Sequence, residues 1–373
     1  MKILHISKFY PPYHGGIEDI CYSIVTALKN KCEQRVLCFN DKIKGIVSQI
    51  DDIEIVRAGI LGELASQPLS ISFFFVIKKN IKEFNPDIIH LHLPNPLACI
   101  YLLWLIPKGT KLVIHWHSDI IAQKYLYRMF SPIEKKVLMR ADKIIATSPQ
   151  YLEHSNPLTA YKCKSVVIPN IISLEKMNLK SSKITAEQIR ELYGNKDIIF
   201  FMGRHVPYKG IEYLIKADKY LHSDCVILIA GSGPLTSELK KLPYSNRVKF
   251  IGRIHDEEIS EYMKAASIFA FPSITKNEAF GVVLAEAMYC KAVPVTFTIE
   301  GSGVNWVNLN GITGIEVANK DVKAYAEAMD CLLSNSSLRE KYGDNAKKRV
   351  IDLFTINAIE KKLFDLYSNI LKD

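Results

Sequence analysis

The sequence has no pair of cysteines at C-x-x-C spacing, although it contains eight cysteines in 373 residues. This absence argues against a zinc ribbon and a thioredoxin-type redox motif. Because the cysteines are scattered and mostly flanked by apolar residues, we expect buried thiols in a reducing compartment. Glycine (18 residues) and proline (16 residues) are too few for a collagen-like or low-complexity chain, so the composition indicates an ordinary globular protein.

Long apolar runs are also absent. The longest, 97–106 (LACIYLLWLI), has ten residues between two prolines, whereas a membrane-spanning helix needs about 20. The first residues, MKILHIS, reach His5 before an apolar core can form, so they do not predict a signal peptide. We therefore expect a cytoplasmic protein. Association with the inner face of the cytoplasmic membrane stays open as an alternative.

Charge is distributed unevenly along the chain, whose formal net charge is +9. Residues 1–170 contain 21 basic and 14 acidic side chains, a balance of +7, whereas residues 171–373 contain 27 and 25, a balance of +2. A solvated basic face would explain this excess, and so would attraction to anionic lipid or to a phosphorylated substrate. Charge alone does not separate these explanations.

Short, β-branched apolar runs alternate with amphipathic stretches, and the pattern starts afresh after Lys196. Continuous apolar strands that alternate with helices are typical of parallel sheets covered on both faces. A chain of this length accommodates two or three domains, so we predict an α/β protein with two Rossmann-like, doubly wound domains. The predicted strands are 2–6, 34–39, 53–57, 88–91, 112–115, 143–147, 166–168, 198–202, 225–230, 249–251, 268–271 and 292–296.

The polar stretch 170–196 interrupts the strand rhythm and marks the predicted domain boundary. We expect a first domain over 1–175, a second over 176–355, and a C-terminal helix within 356–373 that packs back on the first domain. Ligands of such sheets bind at the carboxyl ends of the strands, and pockets favour domain interfaces. We therefore expect the functional residues on strand-to-helix loops that face an interdomain cleft.

Two motifs of the first half follow predicted strands. Gly15 and Gly16 directly precede a helix, where glycine lets a ligand approach the backbone and the helix N-terminus attracts an anion. Taken alone, this pair is better explained by an ordinary turn. His115, His117 and Asp119 fall at the end of a later strand. No third cluster with recognisable metal-ligand spacing accompanies them, so no metal site is predicted. His117 is better placed to touch a bound polar ligand, and His115 to be structural.

In the second half, Arg204 and Lys209 lie five residues apart on one strand-end loop, where they could converge on a diphosphate. A solvated basic loop is the alternative. The next strand enters Gly231-Ser232-Gly233-Pro234, which resembles the start of a dinucleotide fingerprint. Pro234 lacks an N–H donor that this motif uses, and Thr236 stands where its third glycine would, so a nicotinamide-binding site is disfavoured.

The most informative segment is 278–288, EAFGVVLAEAM. A helix that begins near Phe280 or Gly281 would point its first N–H groups at a phosphate. Glu286 would lie about one turn inside this helix and accept hydrogen bonds from a ribose. Glu278 would precede the helix and reach a sugar beyond the phosphates. The alternatives are a surface charge for Glu286 and an acid that stabilises the helix dipole for Glu278.

Taken together, these motifs resemble the family-four retaining glycosyltransferases of the GT-B fold, over essentially the whole chain. Two segments, 117–121 (HSDII) and 301–308 (GSGVNWVN), look like bacterial surface-polysaccharide transferases of the O-antigen and capsule type, especially those that use GDP-mannose or GDP-rhamnose. The chain departs from the family at the interdomain hinge. The family often has Pro-Asn-Gly-Val-Asp there, whereas residues 169–173 read Pro-Asn-Ile-Ile-Ser.

The resemblance implies a role for each motif. Arg204 and Lys209 would hold the donor diphosphate, Glu286 the ribose, and Glu278 and His117 the transferred sugar. Backbone groups would complete the donor site: those of Gly15 and Gly16, of Gly233, of the segment Gly252, Arg253 and Ile254 beside the base, and of Phe280, Gly281, Val282 and Val283. Neither a cofactor nor a metal is implied, because two cations and a helix N-terminus neutralise the leaving group.

The expected activity is therefore retaining transfer of a hexose, with mannose from GDP-mannose favoured and a UDP-sugar as the alternative donor. The acceptor would be a glycan or a polyprenyl-diphosphate-linked glycan, and no nucleic acid is expected as a partner. A sugar-nucleotide epimerase and a non-catalytic sugar-nucleotide-binding or scaffold protein are the competing hypotheses.

The first domain of such enzymes binds the acceptor and often touches the membrane. Basic residues accompany apolar ones here: Lys124, Arg128, Lys135, Lys136 and Arg140 with Tyr125, Leu126, Tyr127 and Phe130. The run 69–76 (LSISFFFV) adds apolar material, for whose three phenylalanines we expect a place in the core.

Overall fold

The computed structural model of the chain describes residues 1–13, 15–65, 67–121, 124–179 and 182–372, with the side chain of Lys124 left out. The chain divides into two compact units. Unit 1 consists of Met1–Ile171 and Ile356–Asp373, and unit 2 consists of Ile172–Thr355. Lys180 and Ser181, within the predicted boundary stretch, lie outside the described residues.

Unit 1 is built on a sheet of eight described strands in the order β10-β9-β8-β7-β1-β2-β4-β3, all parallel except for the edge strand β3. A separate hairpin joins β5 to β6. The strands are β1 (Lys2–Ile6), β2 (Glu33–Phe39), β3 (Ile46–Ile50), β4 (Ile53–Ala58), β5 (Gly62–Leu64), β6 (Gln67–Leu69), β7 (Ile88–Leu93), β8 (Lys111–Trp116), β9 (Lys143–Ala146) and β10 (Ser165–Val167). The helices between them are α1 (Gly16–Leu28), α2 (Ser72–Phe84), α3 (Pro96–Leu105), α4 (Lys124–Arg140) and α5 (Pro149–His154).

Local sequence explains where helices of unit 1 begin and end. The Asn95 side chain accepts a hydrogen bond from the amide of Ala98, and Pro96 occupies the first turn of α3, where its missing N–H costs nothing. At the other end of α2, Asn85 adopts a left-handed conformation (φ 47°) and Pro86 follows, which stops the helix. The central strand β7 is buried along its whole length, as expected of a parallel strand covered on both faces.

Unit 2 contains one parallel sheet of six described strands in the order β13-β12-β11-β14-β15-β16. This is the strand order of the Rossmann fold, which reverses between β11 and β14. The strands are β11 (Asp197–Met202), β12 (Cys225–Ala230), β13 (Val248–Gly252), β14 (Ile268–Phe271), β15 (Val293–Phe297) and β16 (Ile315–Val317). The helices are α6 (Leu174–Met177), α7 (Ala186–Leu192), α8 (Ile211–Ala217), α9 (Thr236–Leu239), α10 (Ile259–Ala265), α11 (Val282–Tyr289), α12 (Val304–Val307), α13 (Val322–Ser334) and α14 (Ser336–Leu353).

The chain returns to unit 1 with the helix α15 (Ile356–Ile370), which packs against α1. Its buried face consists of Ile359, Leu363, Tyr367 and Ile370. The Tyr367 hydroxyl lies 2.7 Å from His90 Nδ1 inside the unit 1 sheet. This helix is therefore part of the unit 1 core, although unit 2 separates it from the rest of unit 1 in sequence.

The α/β fold class predicted from the sequence is confirmed by these two sheets, whereas several details differ. Phe73 is buried as expected, but Phe75 is 63% exposed, because successive residues of α2 point to different sides of the helix. Two cysteines, Cys163 and Cys331, are exposed, which corrects the expectation of buried thiols for these positions. None of the helices within the described ranges is both long and apolar enough to cross a membrane.

Candidate functional site

Two strand-end loops of unit 2 meet where the strand order reverses. One follows β11 and contains Lys209, and the other follows β14 and contains Glu278. The loops touch backbone to backbone: the amide of Ile274 donates to the carbonyl of Tyr208 at 2.9 Å. Gly210 has φ 61°, and a Cβ atom there would lie 2.1 Å from the Pro272 carbonyl oxygen, so this position requires glycine. Ligands of doubly wound sheets bind at such a reversal.

Lys209 and Glu278 form an ion pair at this point, with their side chains only 10% and 12% exposed. The Ser273 hydroxyl also donates to Glu278, at 3.2 Å from Oε2. Burial alone would lower the pKa of Lys209. The charge and hydrogen bond of Glu278, together with Tyr208, outweigh burial, so the pKa is raised and the ammonium stays charged. The site therefore holds a fixed cation with a fixed anion beside it.

The segment 301–308, which resembles polysaccharide transferases in sequence, forms hydrogen bonds with the backbone of the loop that carries Glu278. The Ser302 hydroxyl donates to the backbone carbonyl of Glu278, and the amide of Gly303 donates to that of Ala279 at 3.0 Å. Asn305 accepts from the amide of Ile299 at 2.8 Å and donates to the carbonyl of Phe297 at 3.0 Å. These bonds fix the backbone that carries the Glu278 carboxylate.

The loops after β11, β12 and β13 are also tied together. The amide of His205 donates to Ser232, and the amide of Gly231 donates to Gly252. A Cβ atom on Gly233 would lie 2.5 Å from the His205 carbonyl oxygen. The backbone N–H of Gly233 already donates to the Thr236 hydroxyl. Gly233 thus serves loop packing, and its amide hydrogen is used within the protein.

The remaining predicted donor residues of unit 2 differ in exposure. Arg204 and Arg253 are exposed, whereas Ile254 is buried. Within the described part of the chain, no carboxylate lies within ion-pair distance of Arg204. Its guanidinium therefore remains available to an anionic ligand.

Helix α11 begins at Val282, slightly later than the sequence predicted, and Gly281 precedes it in a left-handed conformation (φ 88°). Phe280 is buried against Trp306 and Phe354, which anchors the start of the helix. The first N–H groups of an α-helix have no intrahelical partner, and here they belong to Val282 and the residues after it. Glu286 lies one turn further on and is only 7% exposed, so it is not the surface charge of the alternative interpretation.

Unit 1 carries the other predicted residues. Gly15 has an extended backbone (φ −177°) at the start of α1, and a Cβ on Gly16 would meet no atom within 4 Å. His117 follows β8 and is 7% exposed. Asp119 accepts from the indole N–H of Trp116 at 3.0 Å and from the hydroxyl of Ser155 at 2.7 Å, so it supports the loop.

The structure adds a cluster that the sequence interpretation missed. His117 belongs to a stack of five buried imidazoles on β1, β7, β8 and the residue after β8: His5, His90, His92, His115 and His117. The rings of His115 and His117 lie 4.2 Å apart and almost parallel, and His92 Nδ1 lies 3.0 Å from His117 Nε2. The signal was present in the sequence as H-x-H in two strands, IHLHL and IHWHS, which the sheet places side by side.

Three of these histidines approach the spacing of a metal site. Ring nitrogens of His90, His92 and His115 lie within 4.8 Å of one another. The three rings, however, are nearly parallel, with interplanar angles of 24°, 9° and 16°. Imidazole lone pairs lie in the ring plane, so stacked rings do not converge on one ion at the roughly 2 Å that metal–nitrogen bonds require. The arrangement favours a packed stack of neutral rings, and burial lowers the pKa of each of these three histidines.

Known proteins resemble the whole chain. Residues 14–176 match the family described as Glycosyltransferase Family 4, and residues 182–349 match Glycosyl transferases group 1. O-antigen chain mannosyltransferase C of Escherichia coli is 31% identical, over 100% of this chain and 99% of the relative. A D-rhamnosyltransferase of Pseudomonas aeruginosa is 30% identical, over 95% and 92%.

Among solved structures, sucrose-phosphate synthase from Thermosynechococcus elongatus has a TM-score of 0.81 at 21% identity and covers 100% of this chain and 99% of its own. This likeness concerns the fold, and the identities above establish the family. The chain therefore belongs to the glycosyltransferases of family 4 and group 1, and it has their GT-B fold.

Proposed function

We propose that this glycosyltransferase is a retaining, metal-independent hexosyltransferase. It transfers mannose from GDP-mannose to a glycan or lipid-linked glycan during the synthesis of a bacterial surface polysaccharide. The observation that carries the proposal is the buried Lys209–Glu278 pair at the strand reversal of unit 2, which provides a cation for a diphosphate and a carboxylate for sugar hydroxyls in one place. The names of the two relatives, a mannosyltransferase and a rhamnosyltransferase, support the choice of sugar.

The donor diphosphate binds to Lys209 and to Arg204, whose guanidinium is exposed on the same loop. Guanidinium and phosphate form paired hydrogen bonds, and an ammonium adds a point charge. In unit 2, the first N–H groups of α11 contribute further donors. In unit 1, Gly16 leaves its backbone open to a ligand. Glu286 accepts the ribose hydroxyls, and the base rests against residues 252–254.

Departure of a nucleoside diphosphate builds up negative charge on the leaving oxygen. Positive groups that already surround this oxygen stabilise the transition state more than the ground state. Lys209 is held in place by Glu278 and lies over the Phe271 ring, 5.0 Å from its centroid, so it needs little reorganisation. Together with Arg204 it supplies the charge that a divalent metal provides in other transferases.

Glu278 is the proposed ligand of the transferred sugar in unit 2, and His117 is the proposed sugar ligand in unit 1. Glu278 accepts hydrogen bonds from the hydroxyl groups of the sugar while it keeps its contact with Lys209. His117 touches the region of C6. No nucleophilic role is assigned to Glu278.

The acceptor binds to unit 1, where an apolar cavity of about 300 Å³ suits the isoprenoid part of a polyprenyl diphosphate. Leu64, Pro94, Ile120 and Phe130 line it, together with Lys8. Large apolar side chains of α3 and α4 are exposed to solvent: Trp104 is 83% exposed, Tyr125 91% and Met129 77%. In the sequence of α4, basic residues stand next to the last two. We propose that this surface rests on the inner face of the cytoplasmic membrane through anionic lipid.

Calorimetry with GDP, UDP and the corresponding sugar nucleotides tests the donor assignment. We expect GDP and GDP-mannose to bind and UDP-sugars to bind weakly. Preferential binding of UDP would change the assigned donor from GDP-mannose to a UDP-sugar. Binding to neither nucleotide would refute the proposal that the protein is a glycosyltransferase with this kind of donor. Proton NMR of the product then reports the anomeric configuration, which must equal that of the donor. Donor binding without transfer to any lipid-linked or soluble glycan would favour a sugar-nucleotide-binding protein that is not a catalyst.

A further inference from the structure

Among the described residues, the side chain of His117 hydrogen-bonds to that of His92. His92 Nδ1 lies 3.0 Å from His117 Nε2, and the amide of His117 donates to the carbonyl of Leu93, which fixes the backbone beside it. His92 is completely buried, whereas His117 keeps 7% of its surface exposed. Since Nε2 of His117 is engaged by His92, Nδ1 is the nitrogen with which His117 can meet a ligand.

Both rings are neutral near pH 7. Burial lowers the pKa of His117 to about 3, and burial together with the neighbouring histidines lowers the pKa of His92 well below its usual value. A neutral imidazole has one N–H and one bare nitrogen. Because one ring must donate and the other accept in the shared hydrogen bond, the position of the proton on His92 fixes its position on His117.

The environment of His92 favours one of the two arrangements. Its other nitrogen, Nε2, is buried and has no hydrogen-bond partner among the described residues. A proton on Nε2 would leave a buried N–H without an acceptor, which folded proteins rarely tolerate. A proton on Nδ1 instead makes the hydrogen bond to His117 and leaves only a bare nitrogen at Nε2, and an unsatisfied buried acceptor is less rare than an unsatisfied buried N–H. His92 therefore donates, and His117 accepts at Nε2.

We propose that His92 is a positioning residue that holds His117 in the Nδ1–H tautomer, so that His117 donates a hydrogen bond to an oxygen of the transferred sugar. The assignment of the sugar rests on the proposed function, whereas the tautomer does not. The control of the His117 tautomer does not extend beyond His92. His90 stacks on His92, with ring centroids 4.5 Å apart, but its hydrogen bond goes to Tyr367. The five rings are thus not a continuous path for a proton.

The tautomer is measured by ¹⁵N NMR on the full chain labelled at histidine, with the His117 signals assigned by their loss in His117→Phe. We expect a pyrrole-type Nδ1 and a pyridine-type Nε2 in the unsubstituted protein. His92→Phe keeps the ring volume and removes the donor, so the His117 signals should move towards a mixture of tautomers. His92→Asn places an amide N–H near the former Nδ1 and should restore the original signals. If His117 keeps the Nδ1–H form in His92→Phe, or lacks it in the unsubstituted protein, the inference is wrong.

Kinetics connect the tautomer to the reaction. His92→Phe should lower kcat by about 10- to 100-fold, the size of the loss when the orienting partner of a metal-ligating histidine is removed. The donor KM should stay within about twofold. His92→Asn should recover most of the loss. His115→Phe is the matched control, because this buried ring stacks on His117 but neither of its nitrogens has a hydrogen-bond partner in the described structure. An equal loss of kcat in His115→Phe would show that packing, and not the hydrogen bond, matters. Full activity of His117→Phe would remove His117 from the proposed function but would not affect the tautomer measurement.

Discussion

Replacing Glu278 by glutamine is expected to strengthen the binding of free GDP while it weakens transfer from the sugar nucleotide. In the unliganded protein Glu278 neutralises Lys209, and both side chains are nearly buried. A diphosphate that binds to Lys209 must therefore approach a carboxylate. Glutamine removes the negative charge and frees the ammonium, but it is a poorer acceptor for sugar hydroxyls than a carboxylate.

The size of the gain follows from Coulomb's law. A phosphate oxygen and a carboxylate oxygen on opposite sides of one ammonium lie roughly 6 Å apart, which corresponds to about 2.8 kcal/mol of repulsion at an effective dielectric constant of about 20. Both side chains keep some contact with water, 10% and 12% of their surface, so screening reduces this value. A net gain of about 1 kcal/mol, or roughly fivefold in Kd, is the expected result.

Calorimetry with GDP on the unsubstituted protein, Glu278→Gln and Glu286→Gln measures this effect. Glu286→Gln, within α11, is the control. It should weaken GDP binding, by up to about 1–3 kcal/mol, because it alters the proposed ribose contact. Unchanged or weaker GDP binding in Glu278→Gln would refute the idea that Glu278 and the diphosphate share Lys209. Lower melting temperatures with equal losses of affinity in both variants would indicate two acids that only stabilise α11.

Three further predictions concern other parts of the molecule. Arg204→Ala should lower kcat/KM for the donor by about 10²–10³-fold, as expected for one preorganised charge contact, with an unchanged circular dichroism spectrum because Arg204 is exposed; a change below about threefold would remove it from the diphosphate site. Transfer should survive EDTA, and loss of activity that Mg²⁺ or Mn²⁺ restores would overturn the proposal that cationic side chains replace a metal. Burial raises the pKa of Glu134 to about 7, helped by Asp119 and opposed by the hydrogen bond from Tyr127, so the folded protein binds this proton more tightly than the unfolded chain. Its stability should therefore fall as the pH rises from about 5 to about 8, and Glu134→Gln should flatten this slope in the melting temperature; equal slopes in both proteins would contradict the assignment.

Strands were predicted well from the sequence where both faces are buried, and poorly where they are not. β1, β12 and β14 occur at the predicted residues, because a parallel strand inside two helical layers is predominantly apolar. β3 was missed, because its residues are exposed or half-buried at the sheet edge and carry no such pattern. The short hairpin strands β5 and β6 have no apolar run either.

At the candidate site, too, features set by adjacent residues could be predicted from the sequence, whereas contacts between distant residues could not. Helix α11 could be located within two residues from its local sequence, since glycine and the apolar run both indicate a helix start. The contact between Lys209 and Glu278 could not, because 69 residues separate them and only the strand order brings their loops together. The histidine stack was hidden for a related reason: its two H-x-H motifs belong to different strands, and their meaning depends on which strands pair.

The path of the chain has a consequence for its synthesis. Unit 2 is continuous from Ile172 to Thr355, and the backbones of these two residues are joined by a parallel β-bridge. Unit 1 lacks part of its core until α15 has been made, since Leu363 and Tyr367 come from that helix. Domains generally fold as units during translation, from the N-terminus onward. In this chain the core of unit 1 stays incomplete, and the surface that receives α15 stays uncovered, while the ribosome synthesises the whole of unit 2. The unit that begins first is thus the last to be completed, and the nascent chain has a long interval in which a chaperone can occupy the place of α15.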